Sequence, residues 1–129
     1  MREGYIKLND LFVYKIAIEL CNFAWGVYEV LDWKDKKIIG DQYIRSTDSI
    51  AANIAEGYGR YHYLDKIKFY YNARGSILET QHWTYLLHKR NKINIDKFNQ
   101  LIQLENNIHV NLNKLIHSQY NCKASSTTK

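Results

Sequence analysis

Proline is absent from this chain, and glycine occurs six times and cysteine twice in 129 residues. Without proline, no residue lacks an amide donor or drives a ring into the preceding turn, so nothing in the covalent backbone interrupts long helices. Two cysteines, Cys21 and Cys122, are too few for a disulfide framework and make no metal site by themselves. Cys21 falls in an apolar stretch and reads as a small buried hydrophobe, whereas Cys122 falls in a polar tail. No apolar run is long enough to span a bilayer, and the opening MREGYIKLND lacks the apolar core of a signal peptide. The expected compartment is therefore the cytoplasm, with no membrane contact.

Catalytic signatures are also missing. The GYGR segment at 57–60 has neither the length nor the lysine of a phosphate-cradling loop. No Ser or Cys sits in a nucleophile motif. Glu79-Thr80-Gln81-His82 matches the Glu-x-x-His pair of di-iron bundles, but that chemistry needs the motif twice with two further glutamates. Glu19, Glu29, Glu56 and Glu105 all lack a histidine three residues on. The sequence thus predicts no enzyme, no metal and no cofactor.

What is present is apolar residues at helical spacing in four stretches. The first runs from a cap at Asn9 or Asp10 to about Leu31. It carries two apolar faces: Leu11, Phe12, Ile16, Leu20, Phe23, Val27 and Val30 on one, Tyr14, Ile18, Cys21, Trp25 and Tyr28 on the other. Either the helix packs on a second subunit as well as on its own bundle, or the core face is wide with amphipathic rings at its margins. Asp32 to Lys37 reads as a loop. A second helix spans about Lys37 to Gly57, with Gly57 and Gly59 as its stop. A third spans about Leu64 to Arg90, with Ile67, Tyr70, Tyr71, Ile77, Leu78, Tyr85 and Leu86 on its apolar face. A fourth starts at about Ile95, capped by Asn94, and buries Phe98, Leu101, Ile102, Ile108, Leu112, Leu115 and Ile116. The expectation is one all-α domain over residues 1–120, an up-down-up-down four-helix bundle that is oligomeric, followed by a disordered tail at 121–129.

The two middle helices carry polar stripes. Gln42, Ser46, Ser49, Asn53, Glu56 and Arg60 recur at four and three, as do Asn72, Ser76 and Glu79. Such stripes either meet as a hydrogen-bonded seam or face water. Their small residues favour the seam, because a solvated row has no reason to prefer Ser over Lys. The predicted seam comprises Ser49, Asn53, Glu56, Arg74, Ser76 and Glu79, with Arg74 or Arg60 supplying the cation that a buried carboxylate needs.

These same residues, SIAANIAEGYGR at 49–60 followed by FYYNARGSILETQ at 69–81, resemble the four-helix-bundle proteins encoded within intervening sequences of bacterial 23S rRNA genes. The resemblance extends from Leu11 to Ile116. That family is similar in turn to the accessory proteins of diversity-generating retroelements, which assist a reverse transcriptase. The resemblance implies a helical bundle assembled into a ring of five, with nucleic-acid binding implied loosely and no enzymatic activity. The chain departs from the family where His62 and Tyr63 replace the usual Ser-Pro before the third helix.

The charge balance is 18 basic against 13 acidic residues, a net +5, which permits an acidic partner without demanding one. The second loop and the helix after it interleave cations with rings: Tyr58, Arg60, Tyr61, His62, Tyr63, Lys66 and Lys68. At the other end, Lys89, Arg90, Lys92 and Lys97 stand against Asp96. Cations neutralise phosphates and exposed rings stack on unpaired bases, so Arg60, Tyr61, Lys66, Lys68, Lys89, Arg90 and Lys92 are the candidate nucleic-acid contacts. The alternative is that these tyrosines pack the bundle end and the lysines are merely solvated. Expected partners are further copies of the chain, RNA or DNA, and, in the scaffold alternative, a reverse transcriptase.

Overall fold

The computed structural model describes the backbone of residues 8–127 and the side chains of residues 8–121. Four long helices make up most of it: α1, Phe12–Glu29; α2, Asp41–Gly59; α3, Tyr63–Lys89; and α4, Ile95–Thr127. No strand occurs among the described residues. A 3-10 turn at Leu8–Asp10 precedes α1, and a helical turn at Trp33–Asp35 and a π-helical stretch at Lys36–Gly40 lead into α2.

Side-chain hydrogen bonds fix the helix directions. Thr80 pairs with Ser46 and Ser76 with Ser49, so numbering falls on α3 as it rises on α2. Arg74 with Asn113 and Gln81 with Asn106 give the same antiparallel register for α3 and α4. Cys21 with Thr47 and Tyr28 with Asp41 do so for α1 and α2. The first and third connections lie at one end, joined by a 2.8 Å ion pair between Lys92 and Asp35. This is the expected up-down-up-down bundle. Its most extensive contact is between α2 and α3, and its slightest between adjacent helices is that of α1 with α4.

The core is apolar at helical spacing: Ile16, Leu20 and Val27 from α1, Tyr43, Ile50 and Ile54 from α2, Tyr70, Ile77 and Leu87 from α3, and Leu101, Ile108 and Leu112 from α4. Ala17, Ala24, Ala51 and Ala73 are also buried, which lets the backbones approach.

The element boundaries differ from the expectation where a local cap decides them. Asp32 accepts the Asp35 amide at 2.8 Å, so DWKDKK begins a helix instead of forming a loop. Neither Asn9 nor Asp10 caps α1; the N-cap is Leu11, which packs against the core and has no side-chain cap. Asn94 does cap α4, accepting from Lys97 at 2.8 Å. The end of α3 is a Schellman turn: Asn91 takes φ 60°, its amide reaching His88 and that of Lys92 reaching Leu87. The fourth helix passes the expected boundary at residue 120 and continues to Thr127; the last two residues of the expected tail lie outside those described.

Apolar assignments change on α1 and α3. Tyr71, Leu78 and Tyr85, expected on the buried face of α3, are exposed, because the core takes the row Ile67, Tyr70, Ala73, Ile77, Thr80, Thr84 and Leu87 instead. On α1, Phe12 and Val30 of the first face are exposed, and the second face stays partly open, with Ile18 and Trp25 exposed beside half-buried Tyr14, Cys21 and Tyr28.

Gly57 is not the stop of α2, which runs on to Gly59. It is a packing position: a Cβ there would lie 2.6 Å from the ring of buried Tyr70. Gly57→Ala is expected to destabilise the fold by about 1–3 kcal/mol through overpacking, measured by urea unfolding.

Candidate functional site

The middle of the predicted seam forms and its ends do not. Ser49 and Ser76, both half-buried, share a hydrogen bond of 2.9 Å across the α2–α3 contact. Asn53 donates from Nδ2 to the Ser49 carbonyl at 2.9 Å and to Ser49 Oγ at 3.1 Å. One turn away Thr80 donates to Ser46 Oγ at 2.9 Å, and Ser46 donates to the Tyr43 carbonyl. Serine and threonine suit this place because a hydroxyl is short enough to bridge two close backbones and has both a donor and acceptors.

Glu56, Arg74 and Glu79 are not buried members of that seam. Glu56 is exposed and pairs with Arg60 on its own helix at 2.6 Å. Glu79 is exposed and accepts from the Trp83 indole at 3.1 Å. Arg74 turns to α4, donating to Asn113 at 2.9 Å with its guanidinium over the Tyr71 ring. Arg74 and Glu79 fall off the buried row Ala73, Ile77, Thr80 and Thr84 of α3, and Glu56 falls off the buried row Ile50, Ala51, Ile54 and Gly57 of α2, so their charges keep water or polar partners, where charge is cheapest to keep.

The seam has members that its stripes did not name. Thr80, Thr84 and Glu105 are fully buried. Glu105 Oε2 lies 2.6 Å from Thr84 Oγ1. Burial pushes the Glu105 carboxyl up to about 7, the hydrogen-bonding contact with Thr84 opposing the shift. The signal was legible: Glu105 falls four residues after Leu101 and three before Ile108, in the buried row of α4. Its neighbour Tyr43 is pushed up more strongly, first by burial and then by the proximity of Glu105.

The candidate nucleic-acid contacts divide into engaged and free groups. Lys66 donates to the Gly57 and Tyr58 carbonyls, at 3.3 and 2.8 Å, and so caps the C-terminus of α2. Partial burial lowers its pKa. Arg60 is held by Glu56 and lies over the Phe69 ring. Lys92 is held by Asp35. Tyr61 is 90% exposed, and Lys68, Lys89 and Arg90 are exposed without an ion-pair partner among the described residues. Lys68 lies near the Phe69 ring and Lys89 over the Tyr85 ring. Arg60, Tyr61, Lys66 and Lys68 stand at or before the start of α3 and Lys89, Arg90 and Lys92 at or after its end, with exposed Tyr71, His82 and Tyr85 along the helix between.

Among the described residues no cluster of His, Cys, Asp or Glu is arranged to hold a metal. His82 of the Glu-x-x-His motif packs edge-on against Trp83. Cys21 is half-buried, not fully buried, and its thiol, pushed up to about 12 by burial and by Asp48, donates to the Thr47 carbonyl. The side chain of Cys122 lies outside those described. No described helix is long and apolar enough to cross a membrane.

Antiparallel helices joined by hydroxyls between the middle pair define a four-helix-bundle protein with a polar seam. The chain belongs to the 23S rRNA-intervening sequence protein family, whose model matches residues 9–114. Its fold is similar to that in the crystal structure of a protein of unknown function from the S23 ribosomal protein family of Bacteroides thetaiotaomicron VPI-5482. The TM-score is 0.78 at 24% identity, over 84% of this chain and 98% of that one. No curated protein matches the chain.

The seam makes a measurable claim. Ser49→Ala and Ser76→Ala are each expected to cost about 1 kcal/mol, the double variant less than their sum, by urea unfolding. Glu56→Gln and Glu79→Gln are expected to change stability by no more than about 0.5 kcal/mol.

Proposed function

We propose that the protein is a non-catalytic helical bundle that associates with itself and binds nucleic acid, RNA foremost. The observation that carries this reading is the outer row of α3, where Lys68, Tyr71, His82, Tyr85 and Lys89 are all exposed. The row is about 30 Å long at the rise of a helix. It interleaves cations with rings, the combination that holds a phosphate backbone while stacking on unpaired bases. Arg90 and Tyr61 extend it at either end. Lys66, Arg60 and Lys92 contribute less, because each already has a partner. The family's place in an intervening sequence of 23S rRNA agrees with an RNA partner.

Self-association is supported by the open second face of α1 and by Val30, Trp33 and Ile38 beyond it, all exposed. Exposed apolar groups of this size favour burial against another surface. A ring of five copies, as the family resemblance implies, would multiply the net charge and strengthen phosphate binding. The same apolar groups favour a second reading, a protein-interaction scaffold such as a reverse-transcriptase accessory.

Two measurements separate the readings. Fluorescence anisotropy with a labelled single-stranded RNA should show affinity falling steeply from about 50 to about 200 mM salt, with Lys68→Glu and Lys89→Glu weakening it. Absence of binding at the lower salt would remove the nucleic-acid reading and leave the scaffold. Light scattering should show an oligomer that Trp25→Asp reduces to monomers; a monomeric wild type would remove self-association.

A further inference from the structure

A fully buried carboxyl of the bundle takes no part in these surfaces. Glu105 has 0% exposure, and its Oε2 lies 2.6 Å from Thr84 Oγ1. That hydroxyl is also 2.9 Å from the Thr80 carbonyl oxygen. A threonine hydroxyl has one hydrogen, and a carbonyl has none to give. Both hydrogen bonds form together only if Glu105 is a carboxylic acid. Its O–H then donates to Thr84 Oγ1, and the Thr84 O–H donates to the Thr80 carbonyl.

The surroundings offer an ionised carboxylate little. Oε1 has no hydrogen-bond partner among the described residues, and neither has the buried Tyr43 hydroxyl. From α2 the titratable neighbour is Tyr43; from α1 it is Cys21, which acts on Tyr43; from α3 come the uncharged hydroxyls of Thr80 and Thr84. No ion pair among the described residues includes Glu105, and no charged group shifts it. A buried charge with no cation and an unpaired oxygen is among the costliest states a core can hold.

We propose that Glu105 is a neutral acid in the folded bundle and that its ionisation is a pH-sensitive latch on the α3–α4 contact. With the proton in place, the chain Glu105 to Thr84 to Thr80 is complete. Without it, Thr84 turns its hydrogen to the carboxylate and releases the Thr80 carbonyl, while the charge stays buried. Separation of α3 from α4 relieves that charge by admitting water.

The direction with pH follows from the proton count. Burial holds the folded carboxyl at about 7 against the ordinary 4.5, so the folded state binds the proton more tightly than the unfolded chain. The contribution is complete below the unfolded value and is lost as pH rises through the folded one. A carboxylate in an ion pair behaves oppositely.

The test is urea unfolding of the full chain across this window. The wild-type folding constant should fall by up to about tenfold per pH unit between about pH 5 and about pH 7. Glu105→Gln, neutral and of the same shape, should remove that slope; persistence of the slope in the variant would overturn the proposal. If the variant does not fold, carbon-13 NMR of the glutamate carboxyls in the wild type reads the same quantity. One resonance titrating near neutrality supports the proposal, and all titrating in the ordinary carboxylate range overturn it. Amide protection around Thr84 and Glu105 should drop first in this window. Simultaneous loss across all four helices would overturn the latch.

Discussion

The contact between Ser49 and Ser76 constrains the rest of the bundle. Two serine hydroxyls can reach each other at 2.9 Å only when their helix backbones run close together. Close approach requires small residues, and Gly57 supplies one where α2 meets Tyr70 of α3. It also excludes bulky aliphatic side chains from the interface, so α2 and α3 hold each other partly through hydrogen bonds. Such bonds are directional. In the observed register each of Ser46, Ser49, Ser76 and Thr80 finds a hydroxyl partner across the contact.

Consequences spread outward from that register. The row Ile77, Thr80, Thr84 and Leu87 must face inward once Ser76 meets Ser49, and this turns Tyr71, Leu78 and Tyr85 to the surface. Cations on either side of these groups complete the outer row. Thr84 in turn faces α4, where Glu105 receives it. The inner hydroxyls and the outer aromatic row are thus two sides of one rotational setting of α3.

The ends of the bundle obey a different rule. Carbonyls and amides at helix termini have no partner within the helix, and nearby side chains supply one. Lys66 supplies the carbonyls at the end of α2, and Asp32 and Asn94 supply amides before α2 and at the start of α4. A basic residue engaged in this way stiffens the loop it spans. This is why a count of cations at 58–68 overstates the positive charge free to meet a partner.

Much of the fold was legible in the residues. Helical spacing without proline, the cap at Asn94 and the small polar rows of 42–60 and 69–81 specified an antiparallel four-helix bundle with a polar middle contact, because these features depend on neighbours in sequence. The residues could not say which members of a stripe lie inside. Glu56 and Glu79 share helix faces with Ser49 and Ser76, yet each sits beside the buried row of its helix and stays exposed. Glu105 stood among leucine and isoleucine, but its burial depended on Thr84, 21 residues away, offering a hydroxyl. Likewise Lys66 and Arg60 had the charge for phosphate binding, and only the folded positions of Tyr58 and Glu56 committed them elsewhere. Sequence determined the periodicities, which are properties of one helix at a time; tertiary structure decided the partners, since hydrogen bonds and burial belong to pairs of helices.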